Sequence, residues 1–144
     1  MQISANFDSG NIDVISAQDP SNIQLAIKKD HQSDFYQWFH FKLHNTEHVE
    51  HVMHLTNAGK SAYVEGWENY QAVASHDRQH WFRVPTTFDG EKLTITFTPE
   101  FDATYFAYFA PYSYERHQDL IHSAQLDIDC QLQVLGQTLD GRDM

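Results

Sequence analysis

The sequence predicts an all-β fold, an antiparallel β-sandwich of about eight to ten short strands. Apolar and polar residues alternate with a period of two along most of the chain, as they do in half-buried strands. Clusters of Gly, Pro, Asn, Asp and Ser interrupt this alternation at short intervals. With 144 residues, of which 41% are hydrophobic, the chain has enough apolar material for one core.

Three short strands are predicted near the start, over residues 3–7, 12–15 and 23–27, separated by turn residues. Residues 35–43 form a densely aromatic strand, whose odd positions share one face. These positions are Phe35, Gln37, Phe39, Phe41 and Leu43. Further strands are predicted over 49–55, 72–75, 80–84, 93–98 and 104–109, and the irregular stretch 61–70 is predicted to be a structured loop.

One short helix is predicted over about residues 113–124, with Ser113 as its N-cap. Leu120, Ile121 and Ala124 recur at helical spacing within it. A strand is expected again over 131–135. The pair Asp140-Gly141 then indicates a hairpin, whose second arm has only three residues, so the chain is expected to be cut within an element.

Charge and composition exclude several classes of protein. The net charge is −11 with only nine Lys and Arg residues, spread thinly, so no phosphate-binding patch is expected and nucleic acid is an improbable partner. The first ten residues lack the features of a signal peptide, and no apolar run is long enough to span a bilayer. A single cysteine, Cys130, forms no internal disulfide. These features favour a cytoplasmic protein without a membrane partner.

The ten histidines suggest a metal site, and four of them lie close together: His44, His48, His51 and His54. On a helix, positions 44, 48 and 51 would share a face and hold Zn²⁺. On a strand, His48 and His54 lie roughly 20 Å apart and His51 faces the other side. The local sequence favours a strand, so a solvated histidine-rich hairpin is the preferred interpretation and no metal ligand is assigned.

The segment His76–His80 concentrates titratable groups in a predicted loop. A His-Asp pair there could orient a general base, but no nucleophile motif accompanies it. No catalytic residue is therefore assigned in this chain. The loop is instead a candidate to line the cleft of a neighbouring domain.

The aromatic run Tyr105–Tyr114 carries aromatic residues on both faces, which is more than one buried strand face requires. It resembles the tyrosine-proline signature at the end of the N-terminal domain of cytosolic carboxypeptidases, members of the zinc metallocarboxypeptidase superfamily. Other segments resemble the same family in the same order. They are Phe7–Asn11, Gln37–Phe41, Gly66–Tyr70, Trp81–Pro85 and Leu135–Met144.

This resemblance implies a β-sandwich N-terminal domain over residues 1–135 and, over 136–144, a truncated junction to an absent zinc catalytic domain. It implies that zinc in that domain is held by an H-x-x-E pair and a later His. His44 and Glu47 have this spacing, but they lie in the strand region of the N-terminal domain, so neither is assigned as a ligand. The chain alone is expected to be inactive and to hold no cofactor.

The implied parent enzyme hydrolyses C-terminal residues from peptides or proteins. Its catalytic domain is the expected partner of this chain, which would pack on that domain and help to shape the substrate cleft. The candidate cleft or interdomain residues are Arg78, Trp81, Arg83, Tyr112 and Tyr114.

Two other classes stay open at this point. A carbohydrate-binding sandwich module is suggested by Trp38, Trp67 and Trp81, and it requires these side chains to form an exposed platform. A stand-alone histidine-rich metal-binding protein is the second alternative, and it requires a stoichiometric site for Zn²⁺ or Ni²⁺.

Overall fold

The computed structural model describes residues 1–44 and 47–144, which divide into two compact units, Met1–Pro111 and Tyr112–Met144. Among the described residues, the first unit holds ten strands and the second holds one helix, α1 (Tyr114–Ala124). The strands are β1 (Gln2–Ser4), β2 (Asp13–Ser16), β3 (Ile23–Ala26), β4 (His40–His44), β5 (His51–Leu55), β6 (Val73–Ser75), β7 (Phe82–Arg83), β8 (Thr86–Phe88), β9 (Leu93–Phe97) and β10 (Ala103–Ala107).

The strands of the first unit form two five-stranded sheets. The first sheet has the order β1-β4-β10-β6-β7 and the second the order β2-β3-β5-β9-β8. All pairs are antiparallel except β3 with β5, which run parallel. The predicted all-β sandwich with one short helix is therefore confirmed, with this one parallel pair added.

The core lies between the two sheets, and alternate residues of strands such as β3, β5 and β9 are buried in it. Phe41 on β4 is opposite Phe106 on β10, and both are fully buried with their rings 5.3 Å apart. Phe97 of the second sheet meets Phe106 edge-to-face at 5.5 Å, which joins the two layers. Of the odd positions predicted to share a face over 35–43, Phe39, Phe41 and Leu43 are buried as expected. The strand, however, begins only at His40.

The predicted loop over 61–70 is irregular but is anchored in the core. It contains a 3₁₀ turn, Val64–Trp67, that places the Trp67 indole in the interior at 1% exposure. Its Nε1–H donates to the Ala58 carbonyl at 3.0 Å and to Ser61 Oγ at 2.8 Å, so burial leaves no polar atom of this side chain unpaired.

The second unit begins where the sequence predicts a helix. Ser113 has extended backbone and its Oγ accepts a hydrogen bond from the Arg116 N–H at 3.2 Å, which confirms it as the N-cap. The hairpin signal is also confirmed, because Gly141 adopts a left-handed φ of 75° and the Thr138 N–H donates to the Arg142 carbonyl at 2.8 Å. The strand predicted over 131–135 is wrong, since these residues have no regular structure.

Candidate functional site

The loop between β6 and β7 is held by two side chains at its start. Ser75 Oγ accepts hydrogen bonds from the backbone N–H groups of Asp77 and Arg78, at 3.3 and 2.8 Å. Asp77 Oδ1 accepts from the N–H groups of Gln79 and His80, both at 2.8 Å. Four consecutive backbone donors are thus satisfied locally, and the loop has a defined conformation without a regular element.

The His-Asp pair that the sequence places here has a structural role. His80 Nδ1 lies 2.6 Å from Asp77 Oδ2, and both side chains are exposed to solvent. The hydrogen bond from His80 and those from the backbone hold the pKa of the Asp77 carboxyl well below its usual range, and the same carboxylate raises the pKa of His80. The Asp77 carboxylate thus favours the charged form of this imidazole.

Arg78 occupies the tip of this loop with a left-handed backbone, φ 65°. Its guanidinium carbon lies 5.6 Å from the centroid of the Tyr105 ring, within the range of a cation–π contact. The residue is exposed, so the loop presents a positive charge beside an aromatic side chain of β10. Non-glycine residues adopt this φ infrequently, and here the Arg78 N–H donates to Ser75 Oγ at 2.8 Å, which helps to hold the conformation.

Trp81 contacts the backbone of Arg78 and covers the buried side chain of His40. Its indole N–H donates to the Arg78 carbonyl at 3.2 Å, and its ring meets the imidazole of His40 edge-on at 5.7 Å. His40 is 1% exposed even though alternation places it on the outer face of β4, away from Phe41. The rings of Phe7, Trp38 and Tyr105 complete this cover, at 4.8, 5.9 and 6.1 Å from the imidazole.

Burial lowers the pKa of His40 to about 4, and the positive charge of Arg78 acts in the same direction. His40 Nδ1 is 3.0 Å from Ser9 Oγ, which gives that nitrogen a partner. The imidazole is neutral at physiological pH and behaves as part of an aromatic cluster. We refer to His40, Phe7, Trp38, Trp81 and Tyr105 as the His40 cluster.

The other three predicted residues have partners of their own. Arg83, on edge strand β7, donates from Nη1 to the Gln71 carbonyl. Tyr112 and Tyr114 belong to the second unit, where Arg116 lies 5.4 Å from the Tyr112 ring and Arg142 lies 5.2 Å from the Tyr114 ring. The structure thus brings together Arg78 and Trp81 and gives Arg83 and the two tyrosines partners of their own.

The histidines considered as metal ligands are separated by the strand geometry. On β5, His51 is buried and His54 is half-buried on the opposite face, where its Nδ1 lies 2.9 Å from Thr94 Oγ1. His48 sits in an exposed turn with φ 61°. Over residues 1–44 and 47–144, no three His, Cys, Asp or Glu side chains come together as a metal ion requires.

The tryptophans proposed as a carbohydrate platform do not form one. Trp67 is a core residue, and Trp38 and Trp81 are half-buried with their indole N–H groups donating to the carbonyls of Ser9 and Arg78. An aromatic platform requires exposed ring faces. These three tryptophans do not provide such a platform, so they do not support the carbohydrate-binding alternative.

Sequence reasoning missed the centre of this site, His40, and its neighbours Phe7 and Tyr105. The available signal was the even-numbered set of residues 36–42, which carries Trp38 and His40 on the side opposite Phe39 and Phe41. Alternation identified the core side correctly but could not show that residues distant in sequence cover the other side.

In the part of the chain that the structure describes, no helix has the length and apolarity needed to cross a membrane.

The fold and this site define a β-sandwich domain that carries an ordered surface loop and an aromatic cluster. A family model, the N-terminal domain of cytosolic carboxypeptidases, matches residues 3–109. This match covers most of the chain, so the chain belongs to the family of cytosolic carboxypeptidase N-terminal domains.

Three relatives extend this result. An uncharacterized protein of Zymomonas mobilis is 47% identical over 144 residues, which are all of this chain and 38% of the relative. A crystal structure of a metallo-carboxypeptidase from Burkholderia cenocepacia superposes with a TM-score of 0.94 at 48% identity, over 99% of this chain and 37% of that one. The metallo-carboxypeptidase of Pseudomonas aeruginosa, in complex with (2-guanidinoethylmercapto)succinic acid, has a TM-score of 0.93 at 49% identity, over 99% and 38%. The chain therefore spans less than two-fifths of these relatives.

Proposed function

We propose that this chain is the non-catalytic N-terminal domain of a zinc metallocarboxypeptidase, and that it packs on the catalytic domain and helps to shape the substrate cleft. The parent enzyme hydrolyses C-terminal residues from peptides or proteins. When bound in the catalytic domain, zinc polarises the scissile carbonyl and activates water. In this proposal the metal is held by the catalytic domain, and the described residues of this chain contribute to binding and positioning.

The observation that carries the proposal is the pre-ordered loop at Arg78. A charged side chain on a mobile loop loses conformational entropy when it binds a ligand, whereas this loop is already fixed by Ser75 and Asp77. Its guanidinium lies over Tyr105 and is exposed, so it can bind a carboxylate while it keeps the cation–π contact with that ring. Trp81 holds the Arg78 backbone and thereby acts as a positioning residue.

The remaining candidates have a different part in the proposal. Arg83 is already engaged by the Gln71 carbonyl, so it stabilises the β6–β7 edge more than it offers a free charge. Tyr112 and Tyr114, which each lie beside an arginine, contribute aromatic surface to the contact with the catalytic domain.

The test uses a chimera in which this chain replaces the matched 38% of the P. aeruginosa metallo-carboxypeptidase. Arg78→Ala is compared with Lys60→Ala, which removes an exposed cation from the 3₁₀ turn Ala58–Lys60. For a peptide with an acidic C-terminal segment we expect Arg78→Ala to raise KM about 2- to 5-fold with kcat unchanged, the range of an exposed ion pair. Lys60→Ala should leave both constants unchanged.

Arg83→Ala and Tyr112→Ala in the same chimera separate binding from stability. We expect both to lower the melting temperature by a few degrees and to alter KM less than Arg78→Ala does. Unchanged kinetics and unchanged melting in all three variants would show that this domain neither shapes the cleft nor stabilises the enzyme through these residues.

A further inference from the structure

Strand β8 (Thr86–Phe88) is an outer strand of the second sheet, so only one of its two edges is paired, with β9. In an antiparallel ladder, positions that exchange backbone hydrogen bonds alternate with positions that do not. The Pro85 carbonyl accepts from the Thr96 N–H at 3.1 Å, so residue 85 is a bonded position and residue 87 is the next one. The N–H and C=O groups of Thr86 and Phe88 therefore point away from β9.

This edge lacks the devices that commonly block an outer strand, such as a proline or a bulge. Pro85 precedes β8, but its position faces β9, so its missing N–H leaves the free edge unchanged. The other outer strand of the same sheet, β2, is by contrast interrupted by a register shift between Val14 and Ser16. The edge of β8 is thus the less protected of the two.

The chain leaves this edge at the point where strand pairing would continue. The Val84 N–H donates to the Ala72 carbonyl at 3.0 Å, and the same register would next pair Tyr70 with Thr86. The Tyr70 N–H donates instead to the Trp67 carbonyl at 3.2 Å. The chain before Ala72 thus turns away from β8 and leaves its edge open.

A hollow of about 360 Å³ occupies the resulting gap. It is lined by residues 67–70 on one side and by residues 86–88 on the other. None of the described residues of β9 lines it, so the hollow lies on the side of β8 where the backbone groups are unpaired. Its volume falls in the lower part of the range of ligand-binding pockets, roughly 300–1,000 Å³.

The lining of the hollow combines an aromatic wall with one carboxylate. The rings of Trp67 and Tyr70 meet edge-to-face at 5.2 Å. Glu68 is exposed between them in the sequence and is the one charged residue among those that line the hollow in the described part of the chain. This combination suits a lysine or arginine side chain, whose methylene groups pack on an aromatic ring while its cationic group pairs with a carboxylate. The net charge of −11 favours a basic ligand as well.

We infer that the hollow beside β8 binds an extended peptide with lysine or arginine side chains, and that this peptide adds a strand to the second sheet. Its backbone pairs with the outward N–H and C=O groups of Thr86 and Phe88, and one basic side chain enters the hollow and pairs with Glu68. The surface shares no residue with the loop at Arg78, which is suited to a carboxylate. The two proposals are therefore tested independently.

Titration of the 144-residue chain with three capped hexapeptides, followed by NMR, tests the inference. The first peptide alternates valine with lysine, the second alternates valine with glutamate, and the third is the first with every backbone nitrogen methylated. We expect the valine–lysine peptide to bind with a Kd below about 1 mM and the other two to bind at least about 10-fold more weakly. No saturation by the valine–lysine peptide up to about 5 mM overturns the inference. Equal binding of the methylated peptide also overturns it, because that peptide cannot donate backbone hydrogen bonds.

Hydrogen exchange locates the bound peptide. At saturation with the valine–lysine peptide we expect the amides of Thr86 and Phe88 to exchange at least about 10-fold more slowly than without it. The amide of Thr87, which already faces β9, and the amides of β2 should be unchanged. Protection confined to β2, or to any other edge, contradicts binding at β8.

Two matched substitutions test the carboxylate. Glu68→Gln should weaken binding of the valine–lysine peptide about 2- to 5-fold, the range of an exposed ion pair. Glu65→Gln removes an exposed carboxylate from the adjacent 3₁₀ turn, outside the lining of the hollow, and should leave the Kd unchanged. Equal effects of the two substitutions would reduce the attraction to net charge alone and would overturn a defined site.

The unmodified P. aeruginosa metallo-carboxypeptidase tests the same edge in a longer chain. At the positions that match Thr86 and Phe88 we expect fast amide exchange without peptide and at least about 10-fold slower exchange at saturation with the valine–lysine peptide. Protection of these amides without peptide would show that another part of that protein covers the edge, and it would overturn the inference.

Discussion

The two units of this chain differ in whether their large apolar side chains are buried. Met1–Pro111 buries Phe, Leu and Ile side chains from both sheets in one core, and Tyr112–Met144 leaves equally large side chains in solvent. Local structure is nevertheless well formed in both, with a capped helix and a closed hairpin in the second unit. Local hydrogen bonding therefore specifies elements, whereas cooperative stability requires a partner surface on which they can pack.

The comparison predicts that replacing a large apolar side chain by alanine will change the free energy of unfolding by very different amounts in the two units. Phe41→Ala removes a ring packed on Phe39 and Phe106 at the centre of the core, and we expect it to lower the free energy of unfolding by about 3–5 kcal/mol. Leu135→Ala, at 83% exposure, should change it by less than about 0.5 kcal/mol. Urea unfolding of the 144-residue chain measures both, and a loss above about 2 kcal/mol for Leu135→Ala would contradict the proposed division.

A second prediction uses pH, because the first unit holds the buried histidines His40 and His51, whereas His122, one of the two histidines on α1, is exposed. The pKa of His40 is lowered in the folded state to about 4, and that of His51 is also lowered by burial. The unfolded chain therefore binds more protons below about pH 6.5, and folded stability falls as the pH drops from there toward 4.

We expect His40 to account for a loss on the order of 2 kcal/mol between pH 7 and pH 4. Replacing His40 by an uncharged side chain, His40→Gln, should reduce the slope of the free energy of unfolding against pH over that interval. This holds even if the substitution lowers the free energy of unfolding at pH 7. His122→Gln is the matched control and should leave the slope unchanged. An identical slope in the wild type and in His40→Gln would refute the assignment of a neutral buried imidazole.

A smaller contrast is expected for two serines that cap backbone N–H groups. Ser75 is fully buried and satisfies two N–H groups of the Arg78 loop, so Ser75→Ala should cost about 1–3 kcal/mol of global stability. Ser113 caps α1 in the second unit, and Ser113→Ala should weaken the helix by about 1 kcal/mol without moving the main transition. Far-UV circular dichroism reports the helix and near-UV signals report the core. A shift of the main transition in Ser113→Ala would show that the two units unfold together.

The sequence predicted most of the fold because its signals are local. Alternation identified Phe39, Phe41 and Leu43 as the buried side of one strand, and Ser113 marked the start of the helix. The segment 131–135 shows the limit of the same rule. Its alternation is that of a strand, but a strand forms only with a hydrogen-bonded neighbour, and the pattern carries no information about whether one is present.

The candidate site was predictable only in part for a related reason. A cluster of charged and turn-forming residues marked the loop at Arg78, and the aromatic run marked β10. The burial of His40, however, depends on Phe7, Trp81 and Tyr105, which lie far from it in the sequence. Likewise, the left-handed backbone of Arg78 is supported by a hydrogen bond to Ser75 and not by a residue type that prefers this conformation.

The most direct test of whether the first unit folds independently is to remove the second unit. Every residue of the buried core lies before Pro111, so a fragment comprising residues 1–111 should melt within about 2 °C of the 144-residue chain and with the same cooperativity. A fragment that fails to fold, or that melts more than about 5 °C lower, would contradict the account, because it would show that Tyr112–Met144 belongs to the cooperative unit of the sandwich.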